Sequence, residues 1–544
     1  MRCDQAIANI LQQEGVEHLF CFPSTPVLDA CAEAGIRPLV ARQERVAGNM
    51  ADGFSRTTNG KRIGVVTIQQ NAGAENCFAA LAQAYTDSSP VLFLPGCWSI
   101  HTSTLPPNFQ PSTSFERQTR WADIIPTPEG LVPRFRRAFT ALRSGRPGPV
   151  LLEIPRDIAT AEVPDFTYMP PRPVRSQGDP QDIVDAVTVL VEAKRPMIWA
   201  GQGVLYAEAS AALTELSELL AAPVTTTWMG KSAINERHPL ALGTAGYSRT
   251  AMVSDALSSS DAVFAIGASL ARDFTSPAIE GGKAFVHASI DPSDFNTYYP
   301  AEVTIAGDAR LVLEQMIEEV RTRRNRKTEA DRVTVEKRIE CQRDAWKQRW
   351  ASRLTSMETP INPYRVIGDF MKTFDPANTI VSHDSGGSRD QLVPLYEAVN
   401  PRGYLGWGHS TQLGFSLGAT MGAKLAAPEK LCAHLLGDAA MGMVGMDLET
   451  AARENIPILT VVLNNGKMGN YERLIPRTAE LFPVLELGGN YAEVARALGV
   501  YAQRVERPEE LVPAFRKAGQ MTQEGRPALV ECMTGVEPEI PYTG

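Results

Sequence analysis

The stretch between residues 431 and 466 decides the fold of this chain. It opens with LCAHLLGDAA (431–440) and closes with IPILTVVLNNG (456–466). Each segment contains a short apolar run typical of a buried strand, and the residues between them have a helical pattern. A right-handed crossover places two such strands in one parallel sheet. Asp438 and Asn465 then follow their carboxyl ends, at the edge where open α/β sheets bind ligands.

The side chains at this edge suit a hard cation that is bound to a phosphorylated ligand. A carboxylate from Asp438, an amide oxygen from Asn465 and a nearby backbone carbonyl are ligands that Mg²⁺ prefers, and phosphate oxygens and water complete its shell. The small residues 437–440 allow the backbone to approach a diphosphate at the start of a helix. In the alternative interpretation, Asp438 caps that helix and Asn464 forms a turn with Asn465. The stretch alone favours neither interpretation.

The same alternation of apolar runs and helical patterns extends over the whole chain. Short strands separated by helices predict parallel sheets, so we predict three doubly wound parallel-sheet α/β domains, at residues 1–165, 180–320 and 360–544. The other predicted strands lie in IGVVTI (63–68), PVLFLPG (90–96), GPVLLEIP (148–155), RPMIWAGQGV (195–204), DAVFAIGASL (261–270), KAFVHASID (283–291), NTIVSHDSGG (378–387) and RPALVECM (526–533).

Two segments between these blocks are predicted to be linkers. The segment 163–180 (VPDFTYMPPRPVRSQGDP) is rich in proline, which disfavours a regular element. The segment 321–350 is rich in Arg, Lys and Glu, and we predict a solvated connecting helix there. A phosphate-binding patch is the alternative interpretation of this second segment.

Composition excludes several classes of function. The 544 residues are 44% hydrophobic and 21% charged, which is ordinary for a globular protein of about three domains. A net charge of −9 gives no basic face for nucleic acid or an anionic membrane. The sequence contains no run of 18 apolar residues, so no membrane-spanning helix is predicted. Eight cysteines without a C-x-x-C pair favour a reducing, cytoplasmic setting over a zinc site or a disulfide framework.

The spacing in the opening stretch resembles a known cofactor motif. Gly437 and Asp438, followed after about 25 residues by Asn464 and Asn465, resemble the thiamine-diphosphate-binding motif, with Ala439 where that family usually has glycine. The chain thus resembles the thiamine-diphosphate-dependent enzymes related to acetolactate synthase, benzoylformate decarboxylase and 2-hydroxyacyl-CoA lyase. The resemblance implies a pyrimidine-binding first domain, a Rossmann-like central domain and a diphosphate-binding last domain. It also implies three Mg²⁺ ligands: the side chains of Asp438 and Asn465, and the backbone carbonyl of Lys467.

Two segments carry the resemblance into the first domain. ARQERVAGNMADGFSR (41–56) is similar to the family segment that contains a catalytic glutamate, and Glu44 stands at that position. QQNAGAEN (69–76) occupies the place of the family loop S-G-P-G-A-T-N. The positions that match are Gly73, Ala74 and Asn76. Without the resemblance, Glu44 is interpreted as a carboxylate at a helix start, where the helix dipole favours it.

A third match lies in the last domain. WGHSTQLGF (407–415) lies where acetolactate synthases have G-L-G-T-M-G-F. Leu413 then takes the place of the large apolar residue beneath the cofactor, with core packing as the alternative, and the Thr411 carbonyl accepts a bond from the 4′-amino group. The resemblance implies further cofactor contacts from Gly73, Gly386, Gly387, Gly437, Asp438, Ala439, Ala440, Asn465 and Met468.

The resemblance also implies a mechanism. Glu44 hydrogen-bonds the aminopyrimidine N1′ so that the cofactor's own 4′-nitrogen removes the C2 proton, a general acid/base step worth about 10²–10⁴-fold. Leu413 holds the cofactor in its bent conformation, which is preorganisation. The predicted catalytic residues beside Glu44 are Gln110, His409 and Tyr471, and further candidates are Gln69, Gln70 and His101. A surface amide, a structural histidine or a pocket-wall tyrosine is the alternative for these groups.

We therefore predict a decarboxylase or carboligase that acts on a 2-keto acid through an acyl-anion (enamine) intermediate, using thiamine diphosphate and Mg²⁺. The alternatives are a 2-hydroxyacyl-CoA lyase and a non-catalytic thiamine-diphosphate-binding scaffold. The adjacent histidine pair of pyruvate-type decarboxylases is absent. The tryptophan that biosynthetic acetolactate synthases carry after the N-N loop is also absent, and Arg473, Leu474 and Ile475 stand there.

Two further expectations concern the central domain and the assembly. FAD is disfavoured, because residues 267–269 (GAS) lack the arginine that FAD-binding relatives carry at this place. The ADP end of coenzyme A, or no ligand, remains open for this domain. In the family, each active site is shared between the first domain of one subunit and the last domain of another, so we predict a homodimer or homotetramer.

Overall fold

The computed structural model describes residues 1–272, 276–469 and 471–541, and these residues form three six-stranded sheets. Every strand pair in the three sheets is parallel. Helices flank each sheet, so the predicted α/β fold with three parallel sheets is confirmed.

The first sheet has the strand order β2-β1-β3-β4-β6-β5. Its strands are β1 (His18–Cys21), β2 (Arg37–Val40), β3 (Gly64–Ile68), β4 (Val91–Cys97), β5 (Trp121–Ile124) and β6 (Val150–Pro155). Its helices are α1 (Cys3–Gln13), α2 (Leu28–Glu33), α3 (Glu44–Thr57), α4 (Ala72–Thr86), α5 (Pro111–Ser114), α6 (Leu131–Arg143) and α7 (Arg156–Thr160).

The second sheet has the order β12-β11-β10-β7-β8-β9, which is the doubly wound order of dinucleotide-binding folds. Its strands are β7 (Pro196–Ala200), β8 (Val224–Thr226), β9 (Ala241–Thr244), β10 (Ala262–Ile266), β11 (Ala284–Ser289) and β12 (Val303–Ala306). Its helices are α8 (Pro180–Glu192), α9 (Gln202–Tyr206), α10 (Ser210–Leu220), α11 (Ala251–Ser259) and α12 (Ala309–Thr322).

The third sheet has the order β14-β13-β15-β16-β18-β17, which repeats the path of the first sheet. Its strands are β13 (Thr379–His383), β14 (Tyr404–Leu405), β15 (Leu431–Gly437), β16 (Leu459–Asn464), β17 (Tyr501–Val505) and β18 (Ala528–Met533). The remaining helices are α13 (Glu329–Leu354), α14 (Pro363–Thr373), α15 (Gly387–Leu392), α16 (Phe415–Ala426), α17 (Asp438–Val444), α18 (Leu448–Arg453), α19 (Pro476–Leu481), α20 (Tyr491–Ala497) and α21 (Leu511–Gln523).

The segments predicted to be linkers behave differently from each other. Residues 163–179 form neither helix nor strand, as predicted. The charged segment does form a helix, α13, but the prediction that it is solvated holds for only part of its surface. Ile339, Trp346 and Trp350 are buried on one side of α13, and the ring centroids of Trp350 and Tyr364 lie 4.9 Å apart. Three apolar residues in a highly charged helix are enough to bury one face, which packs against α11 and α14.

Close packing of α3 against α16 joins the first and third sheets within the chain. A Cβ on Gly53 would overlap the carbonyl of Ala419, and a Cβ on Gly422 would overlap the carbonyl of Met50. Glycine at these two positions therefore permits the approach of the two backbones. None of the helices in the described ranges is long and apolar enough to span a bilayer.

Candidate functional site

The carboxyl edge of the third sheet holds the two residues on which the sequence analysis depends. Strands β15 and β16 are parallel neighbours in the register Gly437 to Leu463, as the crossover argument predicts. Asp438 begins α17 directly after β15, and Asn465 follows β16. The Gly466 N–H donates to Asp438 Oδ2 at 2.8 Å, so the ends of the two strands are bonded to each other.

Asp438 is buried, and burial raises the pKa of its carboxyl, while the bonds from the Ala439 and Gly466 N–H groups act in the opposite direction. Asn465 Oδ1 accepts the Lys467 N–H at 3.0 Å. These bonds are the helix cap and the turn of the alternative interpretation. A carboxylate has about four acceptor positions, however, and Asp438 retains capacity for a cation. Asn464 differs, because its amide donates to buried Glu531 Oε1 at 2.7 Å and is thereby committed to the core.

The predicted glycines surround open space at this edge. An added Cβ on Gly437, after β15, would meet no atom within 4 Å, and the same holds for Gly386, after β13. Gly386 has a φ of +88°, in the left-handed region that favours glycine. Gly387 begins α15, and Ala440 is a buried residue of α17. Met468 is half-buried, and its N–H donates to the Leu485 carbonyl at 2.7 Å.

The loop 409–414 carries backbone strain beside the same edge. Thr411 has a φ of +51°, which is unusual for a β-branched residue and costs about 1–3 kcal/mol. Gly414 follows with a φ of +89°. Between them, Leu413 is half-buried and packs against the apolar core that the first and third sheets share. Strain of this kind persists only where neighbouring contacts hold it.

Asp384 supplies contacts at the end of this loop, and the sequence analysis missed it. Its carboxylate accepts the Gly414 N–H at 3.0 Å, the Ser416 N–H at 3.2 Å and the Ser416 hydroxyl at 2.8 Å. Asp384 is fully buried, and burial raises the pKa of its carboxyl. The one signal in the sequence was its position at the end of the predicted strand in 378–387.

The matched residues of the first domain gather at the start of α3. Glu44 is the first residue of this helix and only 7% exposed. Its Oε2 accepts a bond from the Asn76 amide at 3.2 Å, and an added Cβ on Gly73 would lie 3.5 Å from its Oε1. Asn71, which precedes α4, has a φ of +52°. The structure therefore places the residues of 41–56 and 69–76 around one buried carboxylate.

The residues just before Glu44 contact the end of α17 and the residues that follow it. The Arg42 N–H donates to Asp447 Oδ1 at 2.8 Å, and the Gln43 amide donates to the Met443 carbonyl at 3.4 Å. The Arg42 guanidinium also pairs with Glu449 at 3.0 Å. Arg45 is near enough to Asp384 and Asp447 for their charges to favour its cationic form, against the burial that lowers its pKa. The start of α3 is thus held against the helix that begins at Asp438.

Asp447 makes this contact sensitive to pH. Burial raises the pKa of its carboxyl to about 6, although Arg42 and Thr450 bond to it. A carboxyl with a raised folded-state pKa stabilises the fold below its unfolded pKa, and that contribution is lost as the pH rises through about 6. We expect Asp447→Asn, which keeps an acceptor for Arg42, to raise the free energy of unfolding by about 1–3 kcal/mol at pH 8.

Urea unfolding of the wild type and of Asp447→Asn at pH 4 and pH 8 measures this effect. At pH 4 the gain should vanish, because the wild-type carboxyl is then neutral. Asp165→Asn, at an exposed aspartate in the 163–179 segment, is the matched control and should change little at either pH. An equal gain for Asp447→Asn at both pH values would contradict the assignment of a raised pKa.

The predicted substrate-facing residues differ in their burial. Gln110 is half-buried and donates to Ser103 Oγ at 3.0 Å, while His101 on the same loop is exposed. Gln70 is buried at the end of β3, and Gln69 beside it is half-buried. Tyr471 is 49% exposed. A catalytic role for each of these residues stays a prediction.

His409 lines a cavity of about 730 Å³ at the carboxyl edge of the second sheet, whose other lining residues belong to the first two blocks and the segment between them. Gly201, Gly203 and Gly267 stand at this edge, and an added Cβ on Gly201 would overlap the Gly267 carbonyl. These glycines therefore serve close packing of the two loops. Aromatic rings and cations share the lining, among them Trp199, Trp228, Tyr299, Arg146, Arg175 and Arg272.

Three family models of known proteins match the chain, one after another, in the order of its three sheets. Residues 1–114 match the family model described as thiamine pyrophosphate enzyme, N-terminal TPP binding domain. Residues 183–316 match the thiamine pyrophosphate enzyme, central domain, and residues 384–532 match its C-terminal TPP binding domain. Each matched range falls on one of the three sheets.

Full-length relatives agree with these matches. The chain is 29% identical to a probable acetolactate synthase large subunit of Methanococcus aeolicus, over 94% of the chain and 89% of the relative. It is 29% identical to a glyoxylate carboligase of Escherichia coli O157:H7, over 98% and 93%. It is 28% identical to an acetolactate synthase large subunit of Corynebacterium glutamicum, over 98% and 87%.

Proposed function

The chain belongs to the thiamine-diphosphate-dependent enzyme superfamily, and from that premise we propose that it is a carboligase acting on a 2-keto acid. In the proposed reaction, the acid loses CO₂ and its acyl carbon joins a second carbonyl compound. The relatives named above as acetolactate synthases and a glyoxylate carboligase support this choice. The observation that carries it is the buried Glu44 carboxylate, which faces Gly73 and Asn76 at the start of α3.

The residues present fit thiamine diphosphate and Mg²⁺. Open space lies beside Gly386 and Gly437, where a diphosphate would need it. The proposed Mg²⁺ ligands are Asp438, Asn465 and the Lys467 carbonyl, a set that relies on phosphate oxygens and water to complete the shell. Within the described ranges, no cluster of three or more His, Cys, Asp or Glu side chains forms a metal site.

When bound, thiamine diphosphate supplies a carbon nucleophile and an electron sink for cleavage of the bond next to a carbonyl. Glu44 holds a proton at the pyrimidine N1′ through Oε1, which makes no hydrogen bond within the described part of the chain, while Asn76 orients Oε2. The Thr411 carbonyl would accept a bond from the 4′-amino group of the pyrimidine, and the Leu413 side chain would support the cofactor from the core side. Asp384 fixes the end of the 409–414 loop, because its carboxylate accepts the Gly414 N–H.

Calorimetric titration followed by product analysis tests the proposal. The apo-protein is titrated with thiamine diphosphate in the presence and absence of Mg²⁺. The loaded protein is then given a panel of 2-keto acids, and CO₂ and hydroxyketone or hydroxy acid products are measured. We expect Mg²⁺-dependent binding and CO₂ release with a coupled product. Aldehyde as the sole product would identify a simple decarboxylase, and no turnover with any donor would favour the scaffold alternative.

The cavity beside the second sheet favours a second candidate, a 2-hydroxyacyl-CoA lyase. Its volume of about 730 Å³ and its lining of cations and aromatic rings suit the ADP end of coenzyme A. Equilibrium dialysis of the holoenzyme with ADP, coenzyme A and FAD distinguishes the candidates. Binding of coenzyme A, with cleavage of a hydroxyacyl-CoA and no CO₂ release, would replace the leading proposal. We expect no binding of FAD.

We also propose a homodimer or homotetramer that shares its active sites between subunits, in a reducing cytosolic setting suited to eight free cysteines. Arg42 contacts Asp447 of the same chain, so the start of α3 and the residues after α17 also meet within one subunit. A complementation experiment therefore decides whether Glu44 and Asp438 of one site come from the same subunit or from two. A hybrid dimer of Glu44→Gln and Asp438→Asn subunits, purified through two affinity tags, has one intact site if the sites are shared. We expect about half the wild-type activity in the hybrid and almost none in either parent. A hybrid as inactive as its parents would place the whole site within one chain.

A further inference from the structure

A second, smaller pocket lies at the opposite edge of the second sheet from the large cavity. It encloses about 300 Å³ beside the amino ends of β7 and β8, where Pro196 and Pro223 form part of its floor. The end of α11 forms one wall and the first turns of α13 form the other. The proposed cofactor site uses no residue of this pocket.

Four cations line the pocket, two of them exposed (Lys194 and Arg195), and none forms an ion pair within the described ranges. Lys194 and Arg195 precede β7, Lys327 precedes α13, and Arg338 lies on α13. The Arg338 Nε atom is buried without a hydrogen-bond partner. Lys327 uses one of its donors on the Ala193 carbonyl, at 2.7 Å. Four unpaired cations in one pocket contrast with the net charge of −9 of the whole chain.

Two carboxylates near the pocket offset part of this positive charge, and both also accept bonds from neutral donors. Asp331 is the one carboxylate in the lining, and its Oδ2 accepts the N–H and hydroxyl of Thr328, at 2.8 and 2.7 Å. Asp261 accepts the backbone N–H groups of Lys194 and Arg195, each at 2.8 Å, and so holds their loop in place. The lining also contains a buried hydroxyl without a hydrogen-bond partner, that of Ser260.

We propose that this pocket binds a small phosphate-bearing molecule. Convergent arginine and lysine side chains match phosphate oxygens, and a doubly charged group offsets their repulsion better than a single carboxylate does. Met197 and Val335 add an apolar surface for a short carbon skeleton, and the volume lies at the low end for ligand sites. The charged segment 321–350 is therefore part of a binding site and not only a solvated linker.

Titration with inorganic phosphate tests the proposal directly. The holoenzyme, saturated with thiamine diphosphate and Mg²⁺ so that the cofactor site is filled, is titrated calorimetrically against a background of matched ionic strength. We expect saturable binding at about millimolar concentration. Arg195→Gln combined with Arg338→Gln should weaken binding at least about tenfold, because it removes two of the charged donors.

The matched control is Arg324→Gln combined with Arg326→Gln. These arginines are exposed in the same charged segment and lie outside the lining, so the change in total charge is the same. Phosphate should raise the melting temperature of the wild type and of this control, but not that of the pocket variant. If the pocket variant fails to fold, Lys194→Gln replaces it. Absence of saturable binding up to about 50 mM phosphate, or equal weakening in the control, overturns the proposal.

Discussion

Glutamine in place of Glu44 is expected to lower kcat by about 10²–10⁴-fold while thiamine diphosphate still binds. The substitution keeps the size of the side chain and an acceptor for Asn76, but it removes the group that can hold a proton at Oε1. Binding should survive because the diphosphate contacts lie on the third sheet. Steady-state turnover with the best donor, together with calorimetric titration of the cofactor, measures the two effects separately.

A matched control exists on the neighbouring helix. Glu75 lies on α4, one residue before Asn76, but its side chain is exposed. Glu75→Gln should leave both kcat and cofactor affinity within about twofold of the wild type, as is usual for surface substitutions. Unchanged turnover in Glu44→Gln would remove the proposed mechanism, even if the cofactor bound normally.

Asparagine in place of Asp438 should have the second large effect, on binding and not on chemistry. The affinity for thiamine diphosphate with Mg²⁺ should fall by about 100-fold or more, since the site loses its one charged metal ligand. The apo-protein should remain folded, because the substitution removes a buried carboxylate whose pKa is raised by that burial. Titration of the cofactor at increasing Mg²⁺ concentrations, with thermal unfolding of the apo-protein, measures both.

Asp344→Asn is the control for this substitution. Asp344 is exposed on α13 and far along the chain from the site, so cofactor affinity should be unaffected. Retention of Mg²⁺-dependent binding by Asp438→Asn would show that Asp438 is not a metal ligand. Its role would then be to cap α17 and to join the ends of β15 and β16 through the Ala439 and Gly466 N–H groups. In that case the metal ligands must be sought elsewhere.

The longer strands were predictable and the short ones were not. The runs at 63–68, 431–437 and 526–533 are mostly apolar, and each contains a strand that has neighbouring strands on both sides. Strands β2, β5 and β14 are edge strands of two to four residues, and none was predicted. Edge strands are buried on fewer sides, so their sequences carry less apolar patterning.

The candidate site residues of the first and the last domain were predictable to different degrees. Asp438 and Asn465 could be paired because a right-handed crossover between neighbouring strands is a local rule. Glu44 could be placed only through the family resemblance, since a carboxylate at a helix start is common. Asp384 and Asp447 escaped notice, because their partners lie about 30 and 400 residues away along the chain.

The sequence by itself determined the α/β class, the three-sheet organisation and the Asp438–Asn465 edge, because strand period, helix period and crossover handedness act over short distances. Only the tertiary structure decided how α3 meets α16, how Asp384 holds the strained loop at Thr411, and where the cations beside α13 converge. Each of these contacts joins segments that are distant in sequence. Their positions follow from the packing of whole helices and sheets, which no local pattern specifies.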